Sequence, residues 1–446
     1  MTTFFFSQAM LADCWVRDVR VTVADGVFIS IQRGGAPQPG DEHVAIALPG
    51  MPNLHSHAFQ RGMAGLAEVA GPSDDSFWTW RETMYRFAEA VTPDDLQAIA
   101  ALAYAEMLES GFTRVGEFHY LHGVGDAGPR AMTEAIVAAA AETGIALTHL
   151  PVFYAHGGFG GQAPGERQRR FVLSLEDYAS LIDDARASGK SLPDAVVGVA
   201  PHSLRAVTPH ELAEVARLGD GPVHIHIAEQ VKEVEDCLAA TGARPVEWLL
   251  DHADVGRSWC AIHATHMTAA ERQALAASGA VAGLCPITEA NLGDGLFPAE
   301  EFLAAEGVYG IGSDSNVRID AVEELRLLEY GQRLAAKGRT RLVARGGSNG
   351  DALWRAAAAG GAQALGARAE IAVGAAADFV ALDLTHPSLV GREAAALTDA
   401  LVFSGGREAI SGVWRRGEHV VQAGRHRDRD RIVARYRRTI ERLLDA

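Results

Sequence analysis

Between residues 49 and 370 the chain alternates short β-branched runs with alanine- and leucine-rich stretches eight times, and this rhythm restricts the fold more than any other feature. In order, the strand candidates are VAIALPGMPNLHSH, FTRVGEFHY, ALTHLPVFY, AVVGVAPHS, PVHIHIAEQ, WCAIHATH, AVAGLCPIT and VYGIGSDS. The stretches between them open on helix caps: Thr92 before Pro93, Ser174 with Asp177, Thr208 before Pro209, and Thr268 with Glu271. Gly111, Gly144, Gly189, Gly219 and Gly279 are expected to end helices. Eight such alternations predict an α/β fold, a (β/α)8 TIM barrel, over a doubly wound sheet, whose nucleotide-loop signature is missing.

Both ends of the chain read differently. Residues 1–48 are short β-like runs separated by glycine turns, and the runs AEIAVGAAADFVALDL, DALVFSG and ISGVWRRGEHVVQAG near the other end share that texture. Neither fragment has enough strands for a core of its own. A small composite β-sandwich domain from 1–48 and 371–425 is therefore expected beside a barrel of 49–370. The segment RDRDRIVARYRRTIERLL, within 426–446, interleaves acids with arginines and repeats apolar residues helically, which predicts a C-terminal amphipathic helix.

With 57 acidic against 40 basic residues the formal charge is −17, which disfavours a nucleic acid or an anionic membrane as partner. Cys14, Cys237, Cys260 and Cys285 form no CxxC pair, so neither a disulfide scaffold nor a zinc–thiolate site is indicated, and a reducing compartment fits. No basic leader precedes the first apolar patch, and no run of about 18 apolar residues occurs. A cytoplasmic location is expected.

The chemistry concentrates at the predicted strand ends. His55 and His57 are two apart, so both side chains project to one side of the first strand and can meet one ion. His226 ends the fifth strand and Asp314 the eighth. Barrel enzymes assemble their sites from such ends. Three imidazoles with one carboxylate suit Zn2+ or Fe2+ better than Ca2+ or Mg2+. An open position on such an ion would hold water with its pKa lowered to about 7.

PGMPNLHSH, HIAE, WCAIHATH and SDS, together with the ADFVALD run, resemble the amidohydrolase superfamily, in its aminohydrolase and deaminase branch. The resemblance implies one divalent ion, Zn2+ with Fe2+ as the alternative, held by His55, His57, His226 and Asp314. It further implies that Glu229 protonates the departing nitrogen. His263 orients the ion-held hydroxide and exchanges protons, and Asp314 accepts a proton from the water. More narrowly, NLHSHAFQRGMAGLAE, DSFWTWRETMYRF, GEFHYLH and PHSLRAV are similar to the formimidoylglutamate deiminases. That likeness implies hydrolysis of a linear amidine carrying two carboxylates, with Arg81 and Arg205 binding carboxylate and Gln60, Tyr120 and His202 completing the pocket. A homodimer is the family expectation. The alternative left open is a deaminase of another substrate such as guanine.

Other polar residues read as structural. His224 should face away from His226 and pack on a helix, and Asp320 is as suited to capping the next helix as to supporting the site. His119, His122 and His266 carry weak signals of pocket shaping. Trp78 and Trp80 read as a cover over the mouth rather than a base-stacking pair.

Overall fold

The computed structural model describes residues 1–68, 77–123 and 128–445, the side chains of Phe77 and Trp78 excepted. The first four strands, β1 (Thr2–Met10), β2 (Trp15–Ala24), β3 (Val27–Arg33) and β4 (Glu42–Pro49), share one sheet with strands from the other end of the chain. The barrel strands follow: β5 (Met51–Ser56), β6 (Phe112–His119), β7 (Ala146–Phe153), the two short pieces β8 (Val196–Val197) and β9 (Ala200–Pro201), β10 (Val223–Ile227), β11 (Trp259–His263), β12 (Val281–Leu284) and β13 (Val308–Ile311). The remaining four, β14 (Phe379–Leu382), β15 (Ile410–Arg415), β16 (Glu418–Gln422) and β17 (Arg425–His426), complete the terminal sheet in the order β17-β16-β15-β14-β4-β1-β2-β3.

This sheet explains why neither chain end folds alone. Phe4 and Phe6 from one end pack on Phe379 and Trp414 from the other, and the Phe379 and Trp414 rings stack with centroids 4.8 Å apart. The run VAIALPGMPNLHSH, expected as one barrel strand, is two. Its first half pairs with β1 and β14, and its second half pairs with β6. Gly50 makes the transfer possible, because a Cβ there would meet Thr113 Oγ1 at 2.2 Å.

The parallel strands β5 to β8 form one arc and β10 to β13 another. At one seam Val199 bridges Val223 and Ser203 bridges His226; at the other, Ser56 bridges Asp314. The fourth strand is short because Gly198 lies against the backbone of Pro222, where a Cβ would meet its carbonyl oxygen at 2.4 Å, and Pro201 donates no ladder bond.

Thr92, Ser174, Thr208 and Thr268 all cap helices, each accepting a backbone N–H three residues on. Gly144 and Gly279 close their helices in the left-handed conformation, and Gly111 follows its helix with φ 96°. Gly189 and Gly219 do not act this way. Gly189 is the last residue of its helix, ahead of Lys190, and Gly219 follows Leu218, itself right-handed. DALVFSG, expected as a strand, continues the helix Ala395–Ala400 into a wider turn over Leu401–Gly405. Leu397, Thr398, Leu401 and Val402 are its buried residues, at helical spacing. The C-terminal helix Arg429–Leu444 docks through Arg429 on Glu106 and Glu109 and through Arg431 on Glu142. No helix among the described residues is long and apolar enough to cross a membrane.

Sheet and barrel are joined by buried charge. Asp194 Oδ2 lies 2.9 Å from Arg415 Nη2 and 3.2 Å from Arg114 Nη2, and Arg415 also pairs with Asp378. Removing one member of such a group strands the others away from water. Asp194→Ala is expected to lower the unfolding free energy by about 3–5 kcal/mol. Asp430→Ala, which removes the exposed partner of Arg425, should cost under about 1 kcal/mol. Equal midpoints for the two variants in urea unfolding would contradict this account.

Candidate active site

The seam between β5 and β13 also gathers the chemistry. His55 C=O accepts the N–H groups of Ser313 (3.1 Å) and Asp314 (2.9 Å), and the His57 N–H donates to Asp314 C=O at 2.9 Å. Gly312 permits this approach, since a Cβ there would lie 2.8 Å from His55 O. Five residues at the strand ends without the freedom of glycine adopt left-handed backbone: Ala228 (φ 51°), His263 (66°), Ala264 (48°), Asp314 (43°) and Asn316 (55°). Each costs roughly 1–3 kcal/mol and persists only where its surroundings enforce it.

His55 Nε2 lies 3.2 Å from His57 Nε2 and 3.1 Å from His226 Nε2. Asp314 Oδ1 stands 3.5 Å from His55 Nε2 and 3.2 Å from His57 Nε2. The outward nitrogens of two rings are occupied: His57 Nδ1 donates to Phe118 C=O at 2.8 Å, and His226 Nδ1 to His202 C=O at 3.1 Å. Both rings therefore turn an unprotonated Nε2 inward. Burial brings His55 down to about 3 and lowers His57 and His226 too, so all three are neutral, the form that ligates metal. Burial opposes ionisation of Asp314, but its bond to His55 and the electrostatic pull of the surrounding imidazoles, His263 among them, hold it below the usual carboxylate range. Converging lone pairs beside a carboxylate repel one another unless a cation lies among them, and this donor set fits a divalent ion of the zinc type.

His263 and Glu229 flank this cluster. His263 Nε2 is 3.7 Å from Glu229 Oε1 and 3.7 Å from Asp314 Oδ2. Burial, with Asp314 and Glu233 adding to it, pushes the Glu229 carboxyl up to about 7 against the pull of His263 and Arg205. Burial also works against a proton on His263, yet Glu229, Glu289 and Asp314 together raise it well above the ordinary imidazole range.

A cavity opens from the cluster. Gln60, Arg81, Tyr120, His202 and Arg205 line it, as do His57, His226, Glu229, His263 and Asp314. Gln60 Nε2 donates to the Tyr120 hydroxyl at 2.7 Å, and Arg205 Nε is buried with no hydrogen-bond partner among the described residues. Trp80 is in the wall too, whereas the side chain of Trp78 lies outside the described residues. His119, His122 and His266 are not in the wall; His122 Nε2 bonds Val152 C=O at 2.7 Å. His224 Nε2 bonds Ala364 C=O at 2.7 Å on the helix-facing side. Asp320 caps the helix Ala321–Ala336.

Sequence reasoning passed over the residues behind this wall. Glu117 accepts from Ser56 Oγ (2.9 Å) and the Ala58 N–H (2.7 Å), bracing the segment that carries His57. Asn53, Ser313 and Asn316 form a buried network under the same seam. Glu233 accepts the backbone N–H of Glu229 at 3.0 Å. Glu117 did have a signal, a carboxylate inside an otherwise largely apolar candidate strand, whereas Glu233, beside Lys232 and after the fifth strand, reads as a helix-surface residue. Tyr85, Tyr154 and Phe171, further wall residues, had none.

Comparison with known proteins agrees with this geometry. The amidohydrolase family matches residues 46–420, and the formimidoylglutamate deiminase HutF N-terminal domain matches residues 1–45. Formimidoylglutamate deiminase of Pseudomonas aeruginosa is 49% identical over 455 residues, with 100% of each chain covered. The crystal structure of an amidohydrolase from Brucella melitensis superposes with a TM-score of 0.96 at 52% identity, again over 100% of each chain. An adenosine deaminase from Xanthomonas campestris with bound zinc has the same fold at a TM-score of 0.82 and 23% identity, covering 100% of this chain and 99% of that one. By its family match, its full-length relative and its fold, the chain belongs to the amidohydrolase family.

Proposed function

We propose that the protein hydrolyses the formimino group of N-formimino-L-glutamate, releasing ammonia and leaving N-formyl-L-glutamate. The observation that carries this reading is a single cavity whose wall combines the histidine cluster, an acid poised near neutrality and two guanidinium groups, Arg81 and Arg205. A substrate with two carboxylates needs local positive charge in a protein of formal charge −17, and planar guanidinium forks match carboxylates well. The name of the Pseudomonas aeruginosa relative supports the same substrate. In this reading the barrel comprises 49–370, the composite domain 1–48 with 371–425, and the terminal helix 426–446. The enzyme is cytoplasmic and, by analogy with its family, a homodimer.

His55, His57, His226 and Asp314 would hold one divalent ion, Zn2+ or Fe2+. When bound, the ion supplies Lewis acidity that makes water ionisable near neutral pH. Asp314 accepts the proton that water gives up as its oxygen adds to the formimino carbon, and His263, facing Asp314 at 3.7 Å, orients that oxygen and exchanges protons. Glu229, its carboxyl pushed up to about 7 and so partly protonated at neutral pH, lies across from His263 and delivers a proton to the nitrogen that leaves. The proton taken by Asp314 goes to the same nitrogen, and the amine, protonated and so a good leaving group, departs as ammonia while the hydroxyl proton of the tetrahedral intermediate passes to Glu229 and the C=O of the formyl product forms. Arg81 and Arg205 hold the carboxylates, while Gln60, Tyr120 and His202 shape the space between. Aromatic wall residues such as Tyr85, Tyr154 and Phe171 favour a second reading, deamination of a planar ring.

Two measurements separate these readings and assign the acid. Ammonia release from N-formimino-L-glutamate, with none above background from guanine, is the expected outcome; the reverse pattern would transfer the site to the ring substrate. Glu229→Gln is expected to lower kcat by about 10²–10⁴-fold while metal content stays at the level of the unaltered protein. Unchanged turnover at full metal content would remove Glu229 from the acid role.

A further inference from the structure

We propose that Glu289 is the positioning residue for His263, fixing which of its ring nitrogens carries the proton and which faces the reacting groups. The inference rests on the proton-exchanging role assigned above to His263. Glu289 belongs to the helix Pro286–Leu292 that follows β12, and is only 5% exposed. Its Oε1 accepts the Cys285 N–H at 2.9 Å and lies 3.3 Å from His263 Nδ1.

Helix capping alone does not explain a carboxylate here. A reciprocal cap pairs a serine or threonine at the cap position with a glutamate three residues on, whereas Glu289 stands four residues after its cap. The cap position is instead Cys285, whose side chain makes no capping bond, and the acid is sealed in the interior. Burying a carboxylate is costly unless it meets donors, and the second donor within reach is His263 Nδ1. An Nδ1–H donated to Glu289 leaves Nε2 as the nitrogen that exchanges a proton, and Nε2 is the atom that faces Glu229 Oε1 and Asp314 Oδ2, each at 3.7 Å.

The ring needs such an anchor. His263 sits on left-handed backbone at the very end of β11, and its ring otherwise rests against His226, near parallel with centroids 5.7 Å apart. That contact fixes the plane of the ring but does not select which nitrogen carries the proton. Glu289 is not part of the cavity wall, so it acts on the reaction through His263 and not on substrate.

The test combines kinetics with nitrogen NMR of histidine-labelled, zinc-loaded protein, the His263 signals being assigned by their loss in His263→Gln. In the unaltered protein and in Glu289→Gln, whose amide oxygen can still accept, His263 is expected to carry its proton on Nδ1. Glu289→Ala should lose that preference, with kcat down about 10- to 100-fold and KM within about threefold. Glu289→Gln should recover most of the rate. Retention of the Nδ1 proton in Glu289→Ala, or equal rate losses in the Ala and Gln variants, would overturn the proposal. Should Glu289→Ala fail to fold, the Nδ1–H proton signal decides: an upfield move in Glu289→Gln is expected as the charge on the acceptor is lost, and an unmoved signal overturns it. If the unaltered protein releases no ammonia from N-formimino-L-glutamate, the reaction assignment fails while the tautomer result still stands or falls separately.

Discussion

The structure depends on one closure: the backbone hydrogen bonds between the ends of β5 and β13, in which His55 C=O takes two N–H groups and Asp314 C=O takes the His57 N–H. Those bonds complete the barrel and, in the same stroke, place His55, His57 and Asp314 against one another. Separating the two functions is not possible at this seam. Any change that loosens the seam moves the donors, and any change that repels the donors strains the seam. Three neutral imidazole nitrogens and a carboxylate held this close repel one another, and a cation among them would relieve that repulsion.

Around that closure runs a layer of buried acids, each attached to a different strand end. Glu117 braces the turn after His57, Glu233 holds the backbone of Glu229, and Glu289 takes the outward nitrogen of His263. Their common feature is acceptance of a backbone N–H just past a strand end: Ala58 after β5, Glu229 after β10 and Cys285 after β12. Each carboxylate thereby does two things, satisfying a backbone donor and steering a side chain that faces the cavity. The acid positions in the cavity are consequently set by rigid elements rather than by mobile loops.

Much of this was legible in the sequence for a simple reason. HxH in a strand puts both rings on one side, and HIHIA and GIGSDS end apolar runs, so strand periodicity alone carries His55, His57, His226 and Asp314 to one rim. The same periodicity sent His224 to the helix side, where it bonds Ala364. What periodicity cannot see is partnership created by closure. Asn53 and Ser313 are 260 positions apart and bond only because the first and last strands meet. The break of VAIALPGMPNLHSH into two strands depends on Thr113 crowding Gly50 from another strand, and the helical turn at DALVFSG on where the buried face of Leu397, Leu401 and Val402 lies. Local texture reports neither.

Metal content of the purified protein tests the central claim most directly, measured by elemental analysis beside a His226→Ala variant of unchanged secondary structure. The account predicts one divalent ion for each unaltered chain and little or none in the variant. Equal content in the two proteins, or no ion in either after growth with added zinc or iron, would show that the four converging side chains serve the fold alone.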